Sequence, residues 1–182
     1  MNFLKSLFLS IIDIVKIAVV ALVLAITVRY FLIQPFFVEG ASMEPNFESG
    51  EYLLIDEISY RFKSTGRGEV IVFHYPLDAS KYYIKRIIGL PGETVEVKNG
   101  KVIIYNSVNP DGIILDETYL PENLATNGQT KKKLGADEYF VLGDNRQVSS
   151  DSRVWGSLPK DDIVGRVWVR VWPFNRAAIF NY

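Results

Sequence analysis

Residues 94–105, TVEVKNGKVIIY, decide the fold class of this chain. Apolar and polar residues alternate on both sides of Asn99-Gly100. An Asn-Gly pair favours a tight type I′ turn, because both central residues of that turn need a positive φ. The stretch therefore predicts a β-hairpin whose strands are residues 94–98 and 101–105.

Short runs typical of β-strands recur between turn signals from Gln34 onward, and no long segment there has the 3.6-residue period of a helix. Strands beyond the hairpin are predicted at residues 36–39, 52–57, 69–74, 82–88, 139–142 and 163–171. Residues 106–135 are predicted to leave the core as an excursion, with the lysine triplet 131–133 in a solvated loop. The expected fold class is mainly β, with a hairpin and loop excursion.

The apolar residues are concentrated in residues 7–33, LFLSIIDIVKIAVVALVLAITVRYFLI. The uncharged centre, residues 17–28, covers only about 18 Å at the helical rise, which is less than a hydrocarbon layer of about 30 Å. A spanning helix must therefore extend to about residues 10–29, with Lys16 snorkelling to the headgroups beside Asp13. A retained anchor, a cleaved signal peptide and a buried core helix are the alternatives, and the apolar run continuing to residue 33 favours the anchor.

The charges around this segment indicate its direction. The amino terminus, Lys5 and Lys16 lie on one side and Arg29 on the other, so the positive-inside rule places the amino terminus in the cytoplasm. We therefore predict a cytoplasmic stub and one transmembrane helix in residues 1–33 of a cell-membrane protein. Residues 34–182 are predicted to form the extracytoplasmic domain, and the lipid bilayer is a predicted partner.

Composition excludes several kinds of site. The 182 residues include 20 basic and 21 acidic residues, one histidine and no cysteine. No basic excess is available for nucleic acid, and disulfides, thiolate sites and a His-rich zinc site are excluded. We expect no metal and no cofactor. Nucleophilic catalysis would then need a serine or threonine activated by a lysine or by His74, which we interpret as structural because no Gly-x-Ser-x-Gly motif accompanies it.

Ser42 is the candidate nucleophile. It lies where an apolar strand breaks at Gly40 and Ala41 and cannot continue past Pro45, which exposes its hydroxyl at a strand end. A serine that only forms a turn or a cap is the alternative.

Lys85 is the candidate base. A strand has a period of two residues, so Lys85 and Arg86 point to opposite faces and one of them faces the core. A lysine there loses hydration, which lowers its pKa toward neutrality and lets the neutral amine accept a proton. A lysine that snorkels to the surface is the alternative.

A third element, residues 143–156, reads GDNRQVSSDSRVWG. It combines two acids, two arginines and three serines directly after an apolar strand. Asp144 and Asp151 are predicted to pair with Arg146 and Arg153, and a serine hydroxyl to hold the lysine amine. A salt-bridged surface loop without further function is the alternative.

These elements, in this order behind an apolar segment, resemble type I signal peptidases, especially the short single-anchor form of Gram-positive bacteria. The resemblance covers nearly the whole chain and rests on GxSMxP at residues 40–45, YIKRIIGLPG at 83–92 and GDNRxxSxDSR at 143–153. It implies a compact β-barrel-like catalytic domain. It also implies a serine endopeptidase in which Ser42 attacks the scissile carbonyl and Lys85 accepts its proton. The implied substrates are precursors of secreted proteins, cut after small-x-small motifs of the Ala-x-Ala type.

The resemblance also implies supporting roles. Ser149 matches the serine that orients the lysine amine, while Asp144, Arg146, Asp151 and Arg153 match the network that shapes the site.

The surroundings of Ser42 are expected to bind the substrate. Some relatives have a serine that donates to the oxyanion where this chain has Gly40, so we expect the backbone around Gly40 to supply that donor. An extended precursor is predicted to add as a strand beside residues 37–40 and 82–85. Bulky residues are expected to leave shallow pockets for small side chains; these residues are Phe36, Val38, Met43, Tyr83 and Ile84.

The role of residues 167–174 stays open. Alternation there puts Arg170 on one face with Trp168 and Trp172. This face lies either at the lipid headgroups or in ordinary packing with the arginine between rings.

Two other functions stay open as well. A catalytically silent relative, serving as a chaperone for the assembly of surface fibres, is the second functional hypothesis, although the presence of Ser42 and Lys85 argues against it. A self-cleaving regulator of the repressor type would need a DNA-binding domain where this chain has its apolar segment.

Overall fold

The computed structural model of the chain describes residues 2–31, 33–58, 65–122 and 124–182. Its strands are β1 (Ile33–Phe37), β2 (Tyr52–Asp56), β3 (Val70–Tyr75), β4 (Asp78–Gly89), β5 (Thr94–Lys98), β6 (Lys101–Tyr105), β7 (Ile113–Ile114), β8 (Thr130–Lys133), β9 (Glu138–Leu142), β10 (Leu158–Pro159), β11 (Ile163–Trp172) and β12 (Ala178–Ile179). The helices with described bounds are α1 (Asn2–Phe31), α2 (Ser152–Trp155) and the short 3₁₀ helices Lys160–Asp162 and Phe174–Arg176.

The larger sheet is antiparallel and has the strand order β1-β2-β11-β3-β4-β9-β10, with β12 added to β11. Its central strand β3 is apolar on both faces. Val70 and Val72 pack into one cluster of the core, and Ile71 and Phe73 into another. The pairing of β4 with both β3 and β9 brings the second and third candidate elements side by side.

The smaller sheet has the order β7-β6-β5-β8. The predicted hairpin is confirmed with its bounds: Lys98 faces Lys101 across the turn, and Asn99 and Gly100 have φ values of 53° and 78°. Apolar side chains of β5 and β6 pack against the end of β4 and β9 to form the third cluster of the core.

The predicted excursion, residues 106–135, contains β7 and β8, which complete the smaller sheet. The prediction of a solvated loop for the lysine triplet is wrong, since it lies in β8 and pairs with β5. Lys131 faces Glu96 there, 3.5 Å from its carboxylate, and its amine lies 4.4 Å from the centre of the Tyr105 ring. Strand pairing and these contacts order a segment that is highly charged in sequence.

The mainly β, antiparallel character of the domain is confirmed. Among the described strands, β1 and β10 lie at opposite ends of the larger sheet and do not pair with each other. The barrel-like closure expected from the sequence is therefore absent from this part of the chain.

Strand β11 departs from simple alternation. Its register against β2 shifts between Val167 and Val169 and again between Arg170 and Trp172. A bulge adds one residue to one strand and so changes which face the next side chain occupies. Arg170 is buried while Trp168 and Trp172 are exposed, so the prediction that these three share a face is wrong.

Helix α1 contains residues 7–31 of the apolar segment, and Lys16 pairs with Asp13 at 3.2 Å as predicted. Within the residues that the structure describes, no helix has both the length and the apolar character needed to cross a bilayer. Residues 1 and 32, which belong to the predicted stub and anchor, lie outside the described residues. The predicted domain boundary at residues 33 and 34 falls in β1.

Gly89 allows the two sheets to approach each other. A Cβ at this position would clash with Val95 and lie 2.8 Å from Leu134 Cδ1 and 3.0 Å from Phe140 Cβ. We expect Gly89→Ala to lower the free energy of unfolding by about 1–3 kcal/mol because the closely packed core must shift. Urea unfolding in detergent, followed by tryptophan fluorescence, measures the loss.

Gly135→Ala is the matched control. The nearest atom to a Cβ there is Glu138 Oε2 at 3.4 Å, the far end of a flexible side chain. We expect its free energy of unfolding to stay within about 0.5 kcal/mol of the wild type. Equal losses in the two variants would contradict the role of Gly89.

Candidate active site

Ser42 lies at the start of the turn that follows β1. Gly40 precedes it with a φ of +86°, a conformation that glycine adopts without strain. The Ser42 carbonyl accepts a hydrogen bond from the Asn145 N–H at 3.0 Å, and Phe47 N–H donates to the Met43 carbonyl at 2.9 Å. The backbone is therefore held directly at Ser42 and again just after it.

Lys85 comes from β4, and its side chain ends beside the Ser42 hydroxyl. Its Nζ lies 2.7 Å from Ser42 Oγ and donates to the Ile84 carbonyl at 2.7 Å. Only 4% of Lys85 is exposed. Burial lowers the pKa of Lys85 to about 8, although the charges of Asp151 and Asp144 act in the opposite direction. A substantial fraction of the amine is therefore neutral near physiological pH.

Ser149 lies close to Gly143, as does the Ser42 carbonyl. A Cβ on Gly143 would overlap both Ser149 and the Ser42 carbonyl, so glycine is what allows the loop to approach so closely. Ser149 Oγ is buried and has no hydrogen-bond partner among the described residues. The predicted role of Ser149 in orienting the lysine amine stays a prediction.

Asp144 is fully buried and pairs with Arg86. Arg86 Nε donates to one carboxylate oxygen at 2.8 Å and Nη2 to the other at 2.6 Å. The expected pairing of Asp144 with Arg146 is wrong, because the register of β4 and β9 sets Arg86 opposite Leu142, two residues before Asp144. Both Lys85 and Arg86 are buried, and each meets its own polar partner.

Asp151 closes the loop between residues 143 and 153. Its Oδ1 accepts from Arg153 Nε at 2.8 Å, and its Oδ2 accepts from Arg153 Nη2 at 2.7 Å and from the Gly143 N–H at 3.1 Å. It also caps α2 by accepting from the Arg153 N–H. The loop is thus pinned at both ends by a single carboxylate.

Residues of the excursion complete this network, and sequence reasoning missed them. Arg146 is paired with Glu117 and donates to it from Nη1 at 2.9 Å. The Arg86 guanidinium lies 4.0 Å from the centre of the Tyr119 ring. No local sequence pattern signals these contacts, because each joins residues that lie far apart along the chain.

A cleft of about 870 Å³ opens beside the dyad. Four of the five predicted wall residues line it, namely Phe36, Val38, Tyr83 and Ile84, together with Gly40. Met43 does not: it is 1% exposed and packs in the core beside Phe47, because the turn after Ser42 directs it inward. Val148 and Ser150 line the cleft as well, a contribution of the third element that the sequence did not predict.

The arrangement suits attack by a hydroxyl with an amine as base. A partly neutral lysine within hydrogen-bond distance of a serine, in a largely apolar cleft, is one of the known ways of activating that nucleophile. His74 bonds through Nδ1 to the Ala79 carbonyl at 2.8 Å and is absent from the described lining of the cleft. No group of His, Asp and Glu in the described part of the chain is arranged to hold a metal ion.

Comparison with known proteins identifies the family. The model of the family described as signal peptidase, peptidase S26, matches residues 11–172. Probable signal peptidase I-2 of Synechocystis sp. is 40% identical over 172 residues, 91% of this chain and 75% of that relative. Signal peptidase I of Leptolyngbya laminosa is 40% identical over 164 residues, 86% of this chain and 77% of that relative. A crystal structure of a signal peptidase I from Enterococcus faecalis matches with a TM-score of 0.48 and 30% identity, over 57% of this chain and 97% of that chain. By the family match and the two sequence relatives, this chain belongs to the signal peptidase family, peptidase S26.

Proposed function

We propose that this chain is a membrane-bound serine endopeptidase that removes N-terminal signal peptides from secreted precursors through a dyad of Ser42 and Lys85. The observation that carries the proposal is the distance of 2.7 Å between Ser42 Oγ and a lysine amine that is almost fully buried. Family membership supports peptide hydrolysis, and both sequence relatives are named as signal peptidases.

The reaction follows from the geometry of the two groups. The neutral Lys85 amine takes the proton of Ser42 as Oγ attacks the scissile carbonyl, and the resulting ammonium gives that proton to the departing amine. A water molecule then attacks the acyl-enzyme, with Lys85 again as base. The nearby charges of Asp144 and Asp151 stabilise the transient ammonium. The Ser42 N–H and the backbone around Gly40 are our candidates for binding the oxyanion.

The substrate adds to the sheet as an extended strand. β1 forms one edge of the larger sheet, and β9 pairs with β4 only from Arg86 onward, so no described strand pairs with that side of residues 82–85. Both segments line the cleft. Backbone hydrogen bonds would bind any extended peptide, while the bulky walls leave room only for small side chains before the cut.

Helix α1 is proposed to anchor the chain in the cell membrane, with its amino end in the cytoplasm and the β domain outside. Its 30 residues measure about 45 Å at the helical rise. Large apolar side chains are exposed to the surroundings along it, at Leu7, Phe8, Leu9, Ile11, Ile14, Val15, Ile17, Val19, Val20, Leu22 and Val23. Lipid is the solvent that such a surface favours.

Replacing either member of the dyad tests the function. We expect Ser42→Ala and Lys85→Met each to lower kcat for a precursor with an Ala-x-Ala motif by at least about 1,000-fold, because nucleophile and base act as a unit. Cleavage is measured by the masses of the products, which also locate the cut. The thermal unfolding temperature of both variants should stay near that of the wild type. Wild-type turnover in either variant would contradict the assignment of Ser42 and Lys85 as nucleophile and base.

The pH dependence tests the base. Lys85 must be neutral in the free enzyme, so kcat/KM should rise about tenfold per pH unit below about pH 8 and level off above it. A peptide without groups that titrate in this range is the substrate of choice. A rate that is constant between about pH 5 and pH 9 would contradict a titrating lysine.

The anchor has its own test. In intact cells, a protease added outside should digest the β domain, since the domain is proposed to face outward, and alkaline washing of membranes should leave the full chain in the pellet. Protection of the β domain until the cells are opened would contradict the proposed direction.

A further inference from the structure

Two arginines of the last part of the chain reach the turn that carries Ser42. Arg170 Nη1 donates to the Asn46 carbonyl at 2.8 Å, and Arg176 Nη2 donates to the Pro45 carbonyl at 3.1 Å. These carbonyls come three and four residues after Ser42, in a turn rather than in a strand. Guanidinium groups from a distant segment therefore hold the backbone that follows the nucleophile.

Arg170 is itself held from several directions. It is 9% exposed, its Nε donates to the Arg176 carbonyl at 2.7 Å, and its Nη1 meets both carboxylate oxygens of Glu51 at 3.0 and 3.1 Å. The rings of Phe47 and Phe180 lie 5.6 and 5.5 Å from the guanidinium carbon. A planar fork with five N–H donors serves these partners at once, which the single amine of a lysine cannot do.

Asn46 connects these arginines to the network around the dyad. Its Nδ2 donates to Asp144 at 2.8 Å and to the Tyr119 carbonyl at 2.9 Å. On the other side of the turn, Asn145 holds the Ser42 carbonyl. The turn that carries Ser42 is thus held by hydrogen bonds at two carbonyls, that of Ser42 and that of Asn46.

We propose that Arg170 is a positioning residue, which acts through the Asn46 carbonyl to keep Ser42 Oγ within reach of the Lys85 amine. The inference rests on the proposed function, since it concerns the geometry of that dyad. Arg170 does not line the described cleft, so its effect should fall on the chemical step and not on the binding of substrate.

Arg170→Lys tests the inference because it keeps the charge beside Glu51 and removes the fork. We expect kcat per folded molecule to fall about 10- to 100-fold, with KM within about twofold of the wild type, since a displaced nucleophile costs rate and not affinity. The midpoint of the pH–rate profile should stay near pH 8, because the pKa of Lys85 still sets it. Full-length enzyme in detergent, a single precursor peptide and single-turnover kinetics provide these numbers.

Arg166→Lys is the matched control. Arg166 lies on the same strand and pairs with Asp56 at 3.2 Å, without any described hydrogen bond to the turn after Ser42. It should keep the wild-type kcat. Arg176→Ala is a second test variant with a more exposed side chain. It should lower kcat by a smaller factor, about 3- to 10-fold, because the contacts of Arg176 with the Pro45 carbonyl and with Glu51 are lost.

The outcomes separate the inference from the function on which it rests. Wild-type kcat in Arg170→Lys, or an effect of this variant on KM alone, would overturn the positioning role while the enzyme remains a peptidase. A loss of kcat equal in Arg170→Lys and Arg166→Lys would overturn it as well. Failure of the wild type to cut any precursor would instead contradict the proposed peptidase function.

Discussion

The proposed chemistry of this domain depends on the buried amine of Lys85. Lys85 lies beside Ser42 in surroundings that exclude water, which disfavours the ammonium form, and two carboxylates close by partly restore it. Each carboxylate is in turn bound by an arginine, Asp144 by Arg86 and Asp151 by Arg153. Because the effect of burial outweighs the charges of the two carboxylates, the amine keeps a pKa low enough to serve as a base near neutral pH.

Four separate parts of the chain supply the residues of this site. The turn after β1 carries Ser42, β4 carries Lys85 and Arg86, the loop after β9 carries both carboxylates, and the excursion adds Glu117 and Tyr119. The strand order of the larger sheet makes β4 and β9 neighbours, so the lysine and the loop meet although residues 90–137 separate the two strands along the chain. A rigid sheet can hold such distances more closely than a set of loops can.

Sequence alone predicted those features that depend on local rules. The Asn99-Gly100 hairpin follows from turn chemistry. Local patterns made Ser42 and Lys85 candidates only, and the resemblance to type I signal peptidases gave them their expected roles. The position of Arg170 did not follow, because two bulges in β11 interrupt the alternation that grouped it with the tryptophans. Glu117 was missed as the partner of Arg146 for a different reason: the pair is formed across 29 residues, and no local pattern encodes a contact of that range.

The cleft contains two lysines whose pKa values are shifted in opposite directions. Lys81 is well solvated and paired with Asp78, which raises its pKa, whereas burial gives Lys85 a pKa of about 8. Near neutrality an unprotonated lone pair is therefore far more abundant at Lys85 than at its neighbour, and only a lone pair can attack an electrophile. A peptide-like aldehyde or activated ester that fits the groove would select between the two amines by reactivity as well as by shape, which gives covalent inhibitors of this domain a second anchoring atom besides the serine oxygen.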